Sequence, residues 1–429
     1  MSLCFLRKGC LLSGRFSFKN IIHNSFLSNS RNAFGISGQN TWKAWYHFPT
    51  SSPKVLHKLK VLTRGSVTVV SPQPFTEISS KAQKVVGSWL MVCSGMVFGT
   101  VVLGGVTRLT KSGLSMIDWH PFKEFPPKTD KQWEEEFHKY QQYPEYKLMN
   151  HEMTLQEFKK IWYMEYVHRM SGRSIGAIFF LPAAYFWYKG YFSKAMKPRV
   201  VAFAGLLAFQ GLLGWYMVKS GLEEKEGPDA VPRVSHYRLA AHLGTAFVFY
   251  SLLLWSGLSH LLPPQTTHVT AQVRKFRMMA HATKGVIFLA ALSGALVAGL
   301  EAGLVYNSFP KFADRWIPSD ILAYSPKLRN VTENPTTVQF NHRILGETVA
   351  CLVLGLWIYS RKVPLPPRAR MAMNYVLVVG ALQVSLGIAT LLFYVPKVLA
   401  ASHQAGALTL LSTAIWLTHE MKLLRRLPK

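Results

Sequence analysis

Acidic residues are scarce in this chain of 429. Asp and Glu total 21 against 49 Lys and Arg, a formal net charge of +28, and Met1 to Thr76 contains no acid at all. Cysteine is scarcer still, with four. No CxxC or CxxCH occurs, so neither a thiolate zinc site nor covalent c-type haem attachment is indicated. Cys4 and Cys10 lie at the N-terminal end, and Cys93 and Cys351 fall inside apolar runs, where they read as small buried residues rather than a disulfide scaffold. A basic surplus of this size raises the question of nucleic acid, but its distribution argues against that partner. Apolar runs long enough to cross a hydrocarbon core of ~30 Å recur along the chain, and the basic residues sit in the gaps between them. The charge is a topology signal, and the partner it implies is a lipid bilayer.

Residues 1–70 are Arg-rich, Ser-rich and acid-poor, the composition of a mitochondrial transit peptide and flexible N-terminal segment, with cleavage expected between about 30 and 70. Beyond it, hydropathy predicts an all-α membrane protein of eight transmembrane helices near 85–106, 174–190, 200–219, 238–260, 280–301, 338–359, 372–394 and 398–418. Short basic connections follow the second, fourth, sixth and eighth spans, including RKVPLPPRAR and the terminal MKLLRRLPK. Under the positive-inside rule they place both termini in the matrix. The opposite connections carry the acids. The longest, 107–170, contains TDKQWEEEFHKYQQYPEYK, which predicts one or two short amphipathic helices lying at the interface, with Trp133, Phe137 and Tyr140 on one face and Glu134–Glu136 solvated.

The chain repeats itself. EYVHRMSGRSIG (165–176) returns as QFNHRILGETVA (339–350), FQGLLG (209–214) as LQVSLG (382–387), and LAAHLGTA (239–246) as LAASHQAGA (399–407). Four spans per unit make the repeats parallel. The simplest packing is two tandem four-helix bundles, 80–260 and 275–420.

Each unit carries two histidines at one expected depth: His168 and His242, then His342 and His403. Each is followed four residues on by Gly172, Ala246, Gly346 or Ala407. On one helix face, a small residue beneath an imidazole leaves a flat slot suited to a planar macrocycle. The positive helix N-terminus is expected to keep each imidazole neutral and free to ligate. Paired imidazoles on facing helices can clamp a haem iron, so all four are expected as axial ligands. The other eleven histidines lack repeat partners and read as surface or interfacial residues. Arg108, Arg169 and Arg343 are candidate partners for haem propionates, since guanidinium pairs with carboxylate in bidentate fashion. One difference breaks the repeat. Glu165, a turn before His168, becomes Gln339 in the second unit. A carboxylate can move protons and an amide cannot, so the first unit is expected to react and the second to assist.

GGVTRLTKSGLSM (104–116), EYVHRMSGR (165–173), AAHLG, NHRILGE (341–347) and ASHQAG (401–406) resemble the heme A synthase family in its mitochondrial inner-membrane form, over about 80–419. The resemblance implies oxidation of a ring methyl of haem O, through an alcohol, to the formyl group of haem A. It assigns His168 and His242 to the substrate haem, His342 and His403 to a resident haem b, and catalysis to Glu165, while the charge topology places all four histidines near the intermembrane-space face. It also implies heme O synthase and cytochrome c oxidase assembly factors as partners, with ferredoxin and ferredoxin reductase as an electron source. A homo-oligomer stays open. The alternatives are a bis-histidine cytochrome b-type membrane electron carrier, which needs haems near both faces, and a transporter, which needs polar residues or broken helices near the midplane.

Overall fold

The computed structural model describes residues 79–120, 125–223, 232–267, 269–422 and 424–426, all within one compact unit. The expected transit segment 1–70 lies outside the described residues.

Among the described residues eleven α-helices follow in order: α1 (Ser80–Leu109), α2 (Asp130–Gln141), α3 (Pro144–Met149), α4 (Leu155–Tyr188), α5 (Met196–Gly221), α6 (His236–Leu261), α7 (Ala271–Leu300), α8 (Asn330–Glu333), α9 (Pro335–Ser360), α10 (Pro367–Leu392) and α11 (Lys397–Lys422). Two three-residue strands, Gln265–Thr267 and Leu424–Arg426, pair in parallel at the end of the molecule that carries the basic connections. Among the described residues seven helices are long and apolar enough to cross a membrane: α1, α5, α6, α7, α9, α10 and α11. Large apolar side chains such as Leu212, Leu289, Leu354 and Val378 stay exposed on them, as a lipid-facing surface requires.

The remaining expected span, 174–190, is the C-terminal half of α4. Arg173 at its start, Pro182 within it and the aromatic run YFWY lower its hydropathy, so it is not among the seven. Nor does α4 begin at the histidine turn. Thr154 and Glu157 form a capping box, with Glu157 Oε2 accepting from Thr154 N at 2.9 Å and Thr154 Oγ1 from Glu157 N at 3.3 Å. That cap starts the helix about 20 Å before His168, at ~1.5 Å per residue.

This forward extension organises the long connection. α2 starts on its own capping box, Thr129 with Gln132, and lays Trp133, Phe137 and Tyr140 against α4. Trp133 meets Trp162 edge-on at 5.1 Å, and Tyr140 stacks on Phe158 at 5.2 Å. The aromatic face therefore packs on α4 as a small separate core. Glu134 and Glu135 are exposed, as expected of a solvated face.

In the first half, α1 packs on α4 and α6, and α5 also packs on both. In the second, α7 packs on α9 and α11, and α10 also packs on both. Each half is thus a closed ring of four helices in which α4 and α6, or α9 and α11, lie on the diagonal. The halves meet through α1, α6, α7 and α11. Two corresponding residues mark the seam. Lys111 and Glu301 end α1 and α7 in the left-handed conformation, at φ 55° and 56°, and their side chains approach to 3.4 Å.

Candidate functional site

All four repeat histidines sit against a glycine on the preceding long helix. A Cβ on Gly104 of α1 would meet His168 Cε1 at 2.9 Å, and one on Gly387 of α10 would meet His403 Cε1 at 2.8 Å. The same relation joins Gly214 of α5 to His242 at 3.5 Å, and Gly294 of α7 to His342 at 3.4 Å. Each glycine lies five to seven residues before the end of its helix, about 8–10 Å in, so the four imidazoles share one depth. The helix-terminus argument does not survive. Each histidine lies at least six residues inside its helix, whereas terminal charge fades within the first turn. The glycine seat, invisible as a histidine feature in the sequence, takes its place.

Nδ1 of His168, His242 and His403 is buried with no hydrogen-bond partner. His342 differs. Its Nδ1 lies 2.7 Å from Ser293 Oγ, which donates its own hydrogen to the Ala290 carbonyl at 2.7 Å. The hydroxyl therefore accepts from Nδ1–H, and Nε2 is left with a free lone pair. Among the described residues, no hydrogen bond is made by Nε2 of any of the four.

His342 and His403 face each other across the second ring, with centroids 6.3 Å apart and planes at 90°. Two imidazoles on opposite sides of one metal, with bonds of about 2 Å, place their centroids about 6 Å apart. His168 lies within electrostatic reach of His242 on the corresponding diagonal. Beside them, a Cβ on Gly172 or Gly346 would meet nothing within 4 Å, so the expected slots are open. Among the described residues no three His, Cys, Asp or Glu converge. Two imidazoles flanking an open slot fit an iron whose remaining ligands come from a macrocycle.

The arginines differ from one another. Arg169 Nε donates to Glu165 Oε1 at 2.8 Å, and its Nη groups donate to the carbonyls of Asp118 and Met116 at 2.9 and 2.7 Å. Its guanidinium is committed to Glu165 and the loop after α1. Arg343 Nη2 donates to the Tyr306 carbonyl at 2.8 Å and to Gln339 Oε1 at 3.2 Å, while its Nε and Nη1 are buried without partners. Arg108 Nη2 donates to the Gly299 carbonyl at 3.2 Å across the seam, and its Nε is unpartnered.

Glu165 is 4% exposed and faces Gly113. Near it, in α3, is a second carboxyl that the sequence did not single out. Glu145 is 7% exposed and accepts a hydrogen bond from Tyr140 Oη at 3.1 Å. Burial, with the charge of Glu165 added, pushes its pKa up to about 7 against the opposing pull of the Tyr140 bond, Arg108 and Lys111. Its clue lay in PEYK, where proline starts a short helix and turns the next residue inward.

The profile of the cytochrome oxidase assembly protein family matches residues 87–415. The chain belongs to that family. Among its members, heme A synthase COX15 of Homo sapiens is 60% identical over 86% of this chain and 89% of its own length. Heme A synthase COX15 of Saccharomyces cerevisiae is 42% identical over 80% and 76%. A heme A synthase-mitochondrial ferredoxin fusion protein of Schizosaccharomyces pombe is 36% identical over 97% and 73%. The family match spans both helix rings and all four histidines.

Proposed function

We propose that this chain is a heme A synthase of the mitochondrial inner membrane, oxidising the ring methyl of haem O to a formyl group, through an alcohol, to give haem A for cytochrome c oxidase. One observation carries this reading. Two histidine seats of the same construction differ in that Glu165 beside His168 is a buried carboxylate, while Gln339 beside His342 is an amide.

In this reading residues 80–260 form the substrate bundle and 275–420 the haem b bundle, with α4 completing eight crossings. Both termini lie in the matrix, and the seats lie near the intermembrane-space face. His168 and His242 face the substrate haem; His342 and His403 hold haem b. Haem b, when bound, supplies a reversible one-electron store beside the substrate site. Glu165 is the general base for protons leaving the substrate carbon, and the Arg169 guanidinium offsets its charge and fixes its rotamer. The unpartnered Nε and Nη1 of Arg343 suit a propionate, with Arg108 as a second candidate at the seam. Arg169, committed to Glu165, positions the base and serves a propionate less directly. The fused relative makes a ferredoxin system the natural electron partner, with heme O synthase and other oxidase assembly factors on either side in sequence.

The test is to purify the protein from membranes and identify its extracted haems by chromatography and mass. Haem b together with haem O, haem A or the alcohol supports the assignment. Finding no haem would return the four histidines to packing roles. A cytochrome b-type carrier would need a second imidazole pair at the basic end. There, His260 Nδ1 is bonded to the Ser256 carbonyl at 2.7 Å and His419 Nε2 to Ser259 Oγ at 3.0 Å. Among the described residues no two histidine rings face each other at that end, as His342 and His403 do at the other, which favours the synthase.

A further inference from the structure

At the end of the helices opposite the histidine seats, α6, α7 and α11 meet along the seam between the two rings. Lys284 of α7 and Lys422 of α11 each place Nζ 5.2 Å from the indole centroid of Trp255 on α6. Lys284 is not at a helix tip. It lies about 20 Å along α7 from Ala271, and Trp255 lies about 9 Å inside the end of α6. A lysine at a tip, as Lys422 is on α11, reaches water by itself, whereas Lys284, this far in, needs a partner. Lys284 has a single long hydrogen bond, to Thr418 Oγ1 at 3.4 Å. Among the described residues neither ammonium forms an ion pair.

The acid close by is already spent. Glu420 Oε2 accepts from Arg368 at 3.1 Å and from Gln265 Nε2 at 2.7 Å, and its Oε1 accepts from Trp416 Nε1 at 3.1 Å. The connections 189–199, 261–280 and 360–371 contain no acid at all. Arg199 and Arg277 lie within electrostatic reach of Lys422, so the cluster carries uncompensated positive charge.

A second observation points to a ligand. His419 is fully buried and stands edge-on to Trp255 at 5.1 Å. Its Nε2 meets Ser259 Oγ, which donates its own hydrogen to the Trp255 carbonyl at 2.9 Å, so Nε2 is the donor. Nδ1 is then an acceptor with no partner, buried in the same cluster. Two ammonium groups without an ion-pair partner and one unpartnered acceptor suit an anion that also carries a hydroxyl.

We propose that Lys284, Lys422, Trp255 and His419 form a site for the phosphate of an anionic glycerophospholipid whose headgroup bears a hydroxyl. The phosphate takes charge-assisted hydrogen bonds from both ammonium groups, and the hydroxyl donates to His419 Nδ1. Basic pockets between membrane helices on this side of a bilayer suit such headgroups. Because the site draws on α6, α7 and α11, the lipid ties the two rings together. A soluble phosphate compound offers the same anion from the water side.

Native mass spectrometry of the full chain, released from mixed phosphatidylglycerol and phosphatidylcholine, tests the site. The wild type should retain one phosphatidylglycerol against excess phosphatidylcholine. Lys284→Gln and Lys422→Gln should each lower that retention about fivefold. Lys197→Gln, an exposed lysine 5.4 Å from Trp187 at the same end, should not. Equal retention in all four proteins, or equal loss with Lys197→Gln, would overturn the proposal in favour of a diffuse basic surface. Inorganic phosphate binding alone, with the same lysine dependence and displacing the lipid, would overturn the lipid assignment and identify a soluble phosphate ligand. If Lys284→Gln does not accumulate, Lys284→Arg should keep the lipid while Lys422→Gln loses it; the lipid kept in both would again overturn the site.

Discussion

Glu165 and Gln339 hold corresponding places in the two helix rings, and each accepts a hydrogen bond from the arginine four residues on, at 2.8 and 3.2 Å. The arginines in turn donate to corresponding carbonyls, Met116 and Tyr306, at 2.7 and 2.8 Å. The amide does something the carboxylate cannot. Gln339 Nε2 donates to the carbonyls of Ala302 and Tyr306 at 2.9 and 3.0 Å, tying α9 to the turn after α7. The second ring uses the position as structure; under the proposed function, the first keeps it for chemistry.

Glu165→Gln should therefore leave fold and haem content intact while lowering turnover by about 10²–10⁴, the usual contribution of a positioned acid or base. Product haem per unit time, set against haem bound per chain, separates the two effects. A parallel loss of bound haem would make Glu165 a structural residue instead. Gln339→Glu should fail differently, by facing two carbonyls with a carboxylate. A destabilisation of about 1–3 kcal/mol in thermal unfolding is expected.

The four glycine seats should rank by clearance. Gly387→Ala and Gly104→Ala place a methyl within 2.9 Å of an imidazole, whereas Gly294→Ala and Gly214→Ala leave 3.4 Å or more. The first pair should lose the low-spin haem absorbance of their own ring, at a packing cost of about 1–3 kcal/mol. The second pair should keep it. Equal spectra in all four variants would detach the seats from the histidines.

Ser293→Ala removes the acceptor that orients His342. Haem titration of the purified protein should show haem affinity weakened about 10–100-fold, with the reduction potential moved. No change in either would mean that the seat alone holds the ring.

Glu145 predicts a pH dependence of the cap built by α2, α3 and the front of α4. Its folded pKa, about 7, lies above the unfolded value of 4.5. The folded state thus holds its proton more tightly, and stability falls as pH rises from 4.5 towards 7, then levels off. The effect is bounded at about 3 kcal/mol. Hydrogen-exchange protection factors in Tyr140–Phe158, with the intrinsic rise of exchange with pH divided out, should be higher at pH 5 than at pH 7.5, and Glu145→Gln should remove most of that difference.

The repeat, the long helices and the four histidines were legible because each leaves a one-dimensional mark, an apolar run or a recurring dipeptide. The front of α4 was not. LQEFKKIWYMEY carries charges at a spacing that reads as a loop edge, and only the Thr154–Glu157 box marks its start. The glycine seats also escaped notice. Gly214 and Gly387 close the quoted repeats FQGLLG and LQVSLG, but their partners are more than a dozen residues away on another helix. The first and fifth spans repeat too, KSGLSM (111–116) against EAGLVY (301–306), a match weakened by the very substitutions that distinguish the rings. Arg169 was legible as a cation; its commitment to Glu165 rather than to a ligand depends on loop carbonyls that no spacing rule locates.

The contact between Lys111 and Glu301 is one that two identical subunits could not make. In a dimer of two identical four-helix subunits, a residue on the two-fold axis faces its own copy, so Lys would oppose Lys and Glu would oppose Glu. Opposite charges at equivalent positions arise only once the two copies are encoded separately and free to diverge. The same asymmetry sets Glu165 in one ring against Gln339 in the other. Two halves on one chain can thus carry different residues at equivalent places, which a symmetric pair of identical subunits cannot.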